Sequence, residues 1–327
     1  MRRGIWERFE RTAYKPFEQA AAKYLREFDG KDKRRTALGL ESTLPYIGKT
    51  ALIDVNNDAL EQFKDDRLNG RGAFVRRKEE GSKRMTGGPV MAGTVNKELT
   101  LVTTVLNRAC KDWQWIPSVP RIRHVKGPVR SAYPITWEEQ ERLFEALPTY
   151  WETGCALFAV NTGVRKGELF GLKWSDMVPI PDLDTFVFIL RGTKNGKDRA
   201  VICNSIARRA VSYQRDNGSQ FVFPSRCGRN LNGRVRTSGK VWSNAWVKAG
   251  LPNDPLIRRG IHNLRHTFGH RLREAGVPEE DRALLLGHNN SSLVQHYAMP
   301  TIERLCEMAE RVTVRRDAVI LRAVNSG

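Results

Sequence analysis

Apolar residues recur at helical spacing from early in the chain. In PFEQAAAKYLREF, Phe17, Ala20, Ala21, Tyr24, Leu25 and Phe28 form one apolar stripe, which predicts an amphipathic helix. A further helix is predicted through Leu60 and Phe63 with Asp58 as its cap. Between them LPYIGKTALIDV reads as a turn or short helix and a link. In RLNGRGAFVRRKEEGSKRMTGGPVMAG the periodicity is lost, and its glycines and basic residues predict a loop or hairpin. Strong helical spacing returns over residues 94–113, where Leu99, Val102, Leu106, Ala109 and Cys110 make the buried face and Thr94, Lys97 and Glu98 open the helix.

The pattern stops at Trp115. Residues 116–134 hold Pro117, Pro120, Pro128 and Pro134 among Arg121, Arg123, Lys126 and Arg130; proline stiffens such a segment and charge keeps it solvated, as in a linker. Beyond it, Thr136 and Glu139 make a capping box before Leu143, Phe144 and Leu147, and another helix is expected near 154–161. DTFVFILR and RAVICN are β-branched and aromatic, and they flank TKNGKD, whose Asn-Gly predicts a tight turn. This is a β-hairpin with Lys194 near its tip. Helices follow over 205–214, 237–249, 261–275, 279–286 and 302–312, the last with Ile302, Leu305, Cys306, Ala309 and Val312 on one face. The expected fold is mainly α with a small β-sheet: an extension (1–16), a helical domain (17–115), a linker (116–134), an α+β domain (135–312) and a tail (313–327).

Composition narrows the function. The chain's 327 residues suffice for two domains. Its 55 Lys and Arg against 36 Asp and Glu give a formal charge of +19, which points to a polyanionic partner, nucleic acid first. A membrane is the weaker candidate, because no apolar run reaches roughly 18 residues, no lipidation signal is present, and MRRGIWERFERTAYK lacks the apolar segment of a secretion signal. The cysteines (Cys110, Cys155, Cys203, Cys227 and Cys306) are odd in number and form no CxxC pair, so a reducing interior is expected. Residence in the cytoplasm, associated with the nucleoid, follows as the default.

One stretch, IHNLRHTFGHRL, raises a question of chemistry. His262, His266 and His270 stand four residues apart with Arg265 among them. A metal site would need converging imidazoles, yet the outer two lie about 12 Å apart along a helix, against Zn–N bonds of about 2 Å. No carboxylate follows His262 in the HExxH manner, and Arg265 would set a fixed cation beside the ion. No metal or other cofactor is expected. His262 and Arg265 instead share nearly one helical face. Arginine offers a planar fork for phosphate oxygens and histidine moves protons near neutral pH, so the pair suits phosphoryl transfer. GVRKGEL adds Arg165 at a helix start with Glu168 one turn on, able to orient an arginine, cap the helix or face solvent. LLLGHNNSSLVQHYAMP adds His288 and, nine residues later, Tyr297.

The order and spacing of TGVRKGEL, TKNGKDR, HNLRHTF, LGH and the tyrosine after it resemble the tyrosine recombinase, or phage integrase, family over residues 135–312. The first helices, with TVNKEL and the run to KDW, look more loosely like that family's core-DNA-binding domain. The resemblance implies a site-specific enzyme that cleaves and rejoins DNA through a 3′-phosphotyrosyl intermediate and serves a phage or other mobile element. It implies Tyr297 as nucleophile, Arg165 and Arg265 on the non-bridging oxygens, His262 as proton acceptor, Lys194 as the acid for the leaving 5′-oxygen and His288 as a donor to the phosphate. Lys197 and Arg199 lie close enough to Lys194 to be mistaken for it. The partners implied are double-stranded DNA, further copies in a tetramer on paired sites, and accessory bending or directionality factors. Arg71, Arg76, Arg77, Lys78, Lys83 and Arg84 are expected to grip the duplex, and the helix at 302–312 packs on its own domain or on a neighbouring subunit.

Each residue also has a plainer reading. Tyr297 alone is an ordinary surface or core tyrosine, Lys194 a solvated turn residue and the basic run a solvated loop. His266 and His270 read as scaffold, His296 as incidental and Trp174 as core. The chain departs from the family in AVICN, where relatives often carry a proline, and in AMP after the tyrosine, where many carry threonine-histidine. About sixteen residues precede the first helix, so a separate arm-binding domain is not expected. Three rivals remain: a type IB topoisomerase using the same residues without strand exchange, a catalytically silent DNA-binding protein, and a metallohydrolase.

Overall fold

Separate hydrophobic cores underlie the two units of the chain, Met1–Val129 and Arg130–Gly327. The computed structural model describes residues 13–71, 73–74, 85–86, 88–192, 198–226, 232–235, 240–288 and 301–316. In the first unit, helix α1 (Phe17–Glu27) starts after Pro16, whose fixed φ of −67° suits a helix entry, and it buries Phe17, Ala20, Ala21 and Tyr24. Helix α2 (Lys33–Glu41) is capped by Asp32, which accepts from the Arg35 N–H at 3.0 Å. A single turn, α3 (Leu44–Ile47), leads toward α4 (Glu61–Asn69). Asp58 does not cap α4. The Asn56 carboxamide accepts the N–H groups of Asp58 and Ala59 at 3.0 Å each, so Asp58 is spent inside the preceding turn and Leu60 occupies the cap position without a side-chain bond.

After α4 a short antiparallel ladder joins β1 (Ala73–Phe74) to β2 (Met85–Thr86), within the segment expected to be a loop or hairpin. Helix α5 (Ala92–Lys111) then supplies the apolar seam Val95, Leu99, Val102, Leu106 and Ala109 to the core formed with Phe17, Leu60 and Phe63. It begins before Thr94, and Cys110 is only half-buried. Glu98 does not open the helix toward solvent. It is 7% exposed and accepts two bonds from Arg67, itself 5% exposed, with Nε–Oε2 at 3.0 Å and Nη2–Oε1 at 2.5 Å. Residues of the proline-rich segment also bind this unit: the Asn57 carboxamide donates to Arg121 O and accepts from Arg123 N, and that of Asn96 does the same with Val125.

The second unit begins by stitching residues 131–135 to one helix. The buried Asn263 side chain pairs with both backbone groups of Tyr133, and Thr267 Oγ1 accepts from Ile135 N at 3.2 Å. Both belong to α11 (Ile261–Glu274). Helix α6 (Trp137–Glu145) carries the capping box of Thr136 and Glu139. It is tied to α11 through Arg271, which stacks on Trp137 at 3.6 Å and donates to Gln140 at 2.8 Å. Helix α7 (Tyr150–Thr162) runs through the core, packed by α9 (Ser205–Ser212) and α11. The single-turn α8 (Lys166–Leu169) follows α7, and α10 (Val241–Lys248) adds Trp242 and Trp246 to the core.

Three antiparallel strands, β3 (Met177–Ile180), β4 (Thr185–Leu190) and β5 (Arg199–Ile202), lie in that order. Alternation sends Phe188, Leu190 and Val201 to the main core, and Val187 and Ile202 to a second cluster with Phe268, Leu272 and Leu285. Both faces are thus covered, which is why β4 reads as one unbroken apolar run. At the base of the hairpin Gly192 N donates to the Asp198 carboxylate at 2.8 Å. The second cluster is closed by α12 (Glu279–Leu286) and α13 (Ile302–Glu310). Helix α13 lies on its own unit: Arg304 donates to Asp281 at 3.0 Å, and the Glu310 carboxylate receives Ser205 N at 2.9 Å. Its inner face carries Leu305, Cys306, Ala309 and Val312 as expected, joined by Met308, while Ile302 at the helix start is 40% exposed.

Truncating one member of a buried ion pair leaves an uncompensated charge. Glu98→Ala is therefore expected to destabilise the first unit by about 3–5 kcal/mol, read as a lowered urea midpoint by circular dichroism.

Candidate active site

The site is assembled where the ends of α7 and α12 meet α11. Helix α7 ends on Gly163, whose φ of +61° is left-handed. A Cβ there would stand 2.5 Å from Phe268 of α11 and 3.0 Å from Leu286 of α12, so glycine is required by conformation and by contact. Two residues on, Arg165 takes extended geometry and caps α8. Glu168 does both things the sequence allows for it besides facing solvent. It accepts the Arg165 backbone N–H on Oε2 and the Arg165 guanidinium on Oε1, each at 2.8 Å.

Arg265, on α11, is 5% exposed. It donates to Gly163 O at 2.6 Å and to Leu286 O at 2.5 Å. Arg165 donates to the next carbonyl, Gly287 O, at 3.0 Å. Arg199, at the start of β5, binds Glu168 Oε2 at 2.8 Å and reaches Leu285 O at 3.4 Å. Three consecutive carbonyls at the end of α12 thus each receive one guanidinium. The last carbonyls of a helix lack partners within it and carry the negative end of its dipole, so this end both satisfies and attracts the cations. Burial, followed by the neighbouring Arg165 and Arg199, pushes the Arg265 pKa down to about 10. Glu168 is half-buried, which acts to raise its pKa, but the Arg199 charge and the bonds from both arginines outweigh this and hold it below the usual carboxylate range.

His288 follows Gly287, the left-handed cap of α12 (φ +61°), and its N–H returns to Ala283 O at 2.8 Å. His262 sits in the first turn of α11, edge-to-face with His266 at 4.9 Å. Burial lowers the pKa of both His262 and His288, and arginines add to it: Arg258, Arg265 and Arg165 at the first, Arg265, Arg165 and Arg199 at the second. His266 is pushed down to about 4 by burial and by His262, and its Nε2 is buried without a hydrogen bond among the described residues. His270 instead faces Glu274 at 3.4 Å. No three His, Cys, Asp or Glu side chains among the described residues converge as a metal site requires.

Arg165, His262, Arg265 and His288 are therefore gathered in one place. Lys194 and Tyr297 lie outside the described residues, as do Arg76, Arg77, Lys78, Lys83 and Arg84. Arg71 is exposed and paired with Asp65 at 2.6 Å. Arg199, expected only as a neighbour of Lys194, stands opposite Leu190 in the sheet with its side chain 10% exposed. An open groove beside Glu168, lined by Gly167, Lys173, Arg191, Phe221 and Arg234, adds basic side chains that the sequence did not single out.

Comparison with known proteins gives a consistent result. The model of the phage integrase family matches residues 134–304. The tyrosine recombinase XerA of Thermococcus kodakarensis is 29% identical over 232 residues, 67% of this chain and 76% of that protein. A lambda integrase dimer bound to a COC′ core site has a similar fold, with a TM-score of 0.64 at 16% identity over 90% of this chain and 80% of that one. A lambda integrase tetramer bound to a Holliday junction gives 0.61 at 17% identity, over 85% and 79% of the two chains. No helix among the described residues is long and apolar enough to cross a membrane.

The depressed His266 has a consequence for stability. The unfolded chain takes up its proton near the ordinary 6.5, the folded chain near 4. Between those values the unfolded state binds more protons, so stability is complete above pH 6.5 and falls on acidification through the window. The thermal midpoint should drop between pH 7 and pH 5, and drop less in His266→Gln; equal drops in the two proteins would exclude this contribution.

Proposed function

Since the chain belongs to the phage integrase family, whose model spans more than half of it, we propose that Arg165, Lys194, His262, Arg265, His288 and Tyr297 form the catalytic set of a site-specific DNA recombinase. Cleavage and rejoining of DNA is the activity of tyrosine recombinases, and this chain is one. The observation that carries the assignment is the convergence of two arginines and two histidines of depressed pKa at the end of α12.

The steps balance without an outside energy source. The Tyr297 hydroxyl, with an ordinary pKa of about 10, gives its proton to neutral His262 while its oxygen bonds to phosphorus. The bond from phosphorus to the 5′-oxygen breaks, and Lys194 protonates the departing oxygen to a 5′-hydroxyl. Arg165 and Arg265 stabilise charge on the non-bridging oxygens of the pentacoordinate transition state, and His288 donates to the phosphate. The phosphodiester energy is held in the 3′-phosphotyrosyl bond, which a 5′-hydroxyl then attacks in reverse. Fixed guanidinium charges do the electrostatic work that a metal ion does in many phosphoryl transfers.

Double-stranded DNA is the proposed substrate, with four copies acting on paired sites of a phage or other mobile element, assisted by bending or directionality factors. The net charge supports DNA as partner, and the similar lambda integrase tetramer on a Holliday junction supports the number of copies. Arg71, Arg76, Arg77, Lys78, Lys83 and Arg84 are proposed to contact phosphates, and the groove residues Lys173 and Arg191 are proposed to join them.

A nicked suicide substrate carrying the recombination site should yield a covalent protein–DNA adduct in EDTA, absent in Tyr297→Phe and slowed about 10²–10³-fold in Arg265→Ala. An EDTA-sensitive cut without adduct would instead indicate metal-dependent hydrolysis, and adduct without exchange between paired sites a topoisomerase. Neutral His262 is the active form, so cleavage should rise with pH through a midpoint below 6.5, the ordinary histidine value. Arg258→Met removes one of the charges depressing it and should move that midpoint upward. Lys173→Gln should weaken DNA binding alike across sequences and reduce the salt slope by about 1.

A further inference from the structure

Arg199 enters none of the roles assigned above, yet its guanidinium bonds end on groups that hold the site. Its side chain is 10% exposed, at the start of a strand where solvent would otherwise be close. Desolvating a guanidinium is costly unless it is paired, and its Nε remains without a hydrogen bond among the described residues. A group serving stability alone gains little from an orphaned buried donor.

Arg199 takes the oxygen of Glu168 that also receives the Arg165 backbone, at 2.8 Å, while the other oxygen receives the Arg165 guanidinium. Without it Glu168 would have one cation rather than two fixing its plane, and the Arg165 side chain would follow any rotation of the carboxylate. The second end of Arg199 reaches Leu285 O at 3.4 Å, one residue before the carbonyl bound by Arg265 and two before the carbonyl bound by Arg165. The chain makes room for this path: a Cβ on Gly287 would stand 2.5 Å from Arg199 Cδ and 2.6 Å from its Nη1.

We propose that Arg199 is a positioning residue for DNA cleavage, holding Glu168 against the end of α12 so that Arg165 presents its remaining N–H groups to the scissile phosphate. The proposal depends on the role given to Arg165 above. Arg199 acts through Glu168 and touches no reacting atom. Its loss is expected to leave DNA affinity little changed and to slow the chemical step, because a misplaced catalytic group costs about 10²-fold.

The test is single-turnover cleavage of the nicked suicide substrate by the full chain, with the scissile group either a phosphodiester or a methylphosphonate. The methylphosphonate is uncharged and lacks one non-bridging oxygen, so it needs less from the arginines. Arg165→Ala should therefore lose much less rate on it than on the phosphodiester, and Arg199→Met should show the same relief. Arg199→Lys keeps the charge but cannot span Glu168 and Leu285 O together; it should show a smaller loss with the same relief, and it carries the test if Arg199→Met does not fold. Full rate on the phosphodiester in both Arg199 variants, or equal losses on the two substrates, overturns the positioning role. If Arg165→Ala itself shows no relief, the assignment of Arg165 fails and the role of Arg199 falls with it.

Discussion

Three guanidinium groups stand around one carboxylate and the carboxyl end of one helix, and much of the second unit is arranged to tolerate that concentration of positive charge. Arg165, Arg199 and Arg265 repel one another, and partial burial strengthens the repulsion. Glu168 balances two of them directly. The remaining compensation comes from backbone: carbonyls 285, 286 and 287 and Gly163 O accept from the cluster. Backbone carbonyls are good partners here because they cannot be protonated away and carry no countercharge that would neutralise the site toward an anion.

The same charge governs the histidines. His262, His266 and His270 share one spacing and one helix, but their surroundings set them apart. His262 is half-buried beside arginines and biased toward the neutral form. His266 is pushed further, with its ring packed edge-to-face on His262. His270 faces a carboxylate. A pattern suggestive of one ion is thus three environments.

Features that depend on near neighbours were readable from the sequence. The Thr136–Glu139 capping box spans three residues and forms as expected, and the apolar stripes of α1 and α5 fall where the periodicity sets them. The motifs that bring Arg165, His262, Arg265 and His288 together were also visible, because each sits at a helix start or end marked by glycine. What was hidden depends on contacts distant in sequence. Glu98 looked like a helix-opening residue until Arg67, on another helix, drew it into the core. On α13, Met308 joins the expected inner residues and Ile302 is left exposed, while Arg304 and Glu310 tie the helix to Asp281 and Ser205. Strand β3, four residues with Pro179 inside, lacked the length and alternation to stand out. Arg199 stood out only as a neighbour of Lys194, because its partners, Glu168 and Leu285, belong to other elements.

The sheet covered on both faces has a mechanical meaning. Strands β4 and β5 are gripped from two sides, through Phe188 and Val201 on one and Val187 and Ile202 on the other, so their ribbon is built like a cantilever with a clamped root. The bond from Gly192 N to the Asp198 carboxylate and the pairing of Leu190 with Arg199 close that root. A shift of the strand at Arg199 would pass through its guanidinium to Glu168. The clamped sheet and the carboxylate that holds the Arg165 guanidinium are in this way one piece.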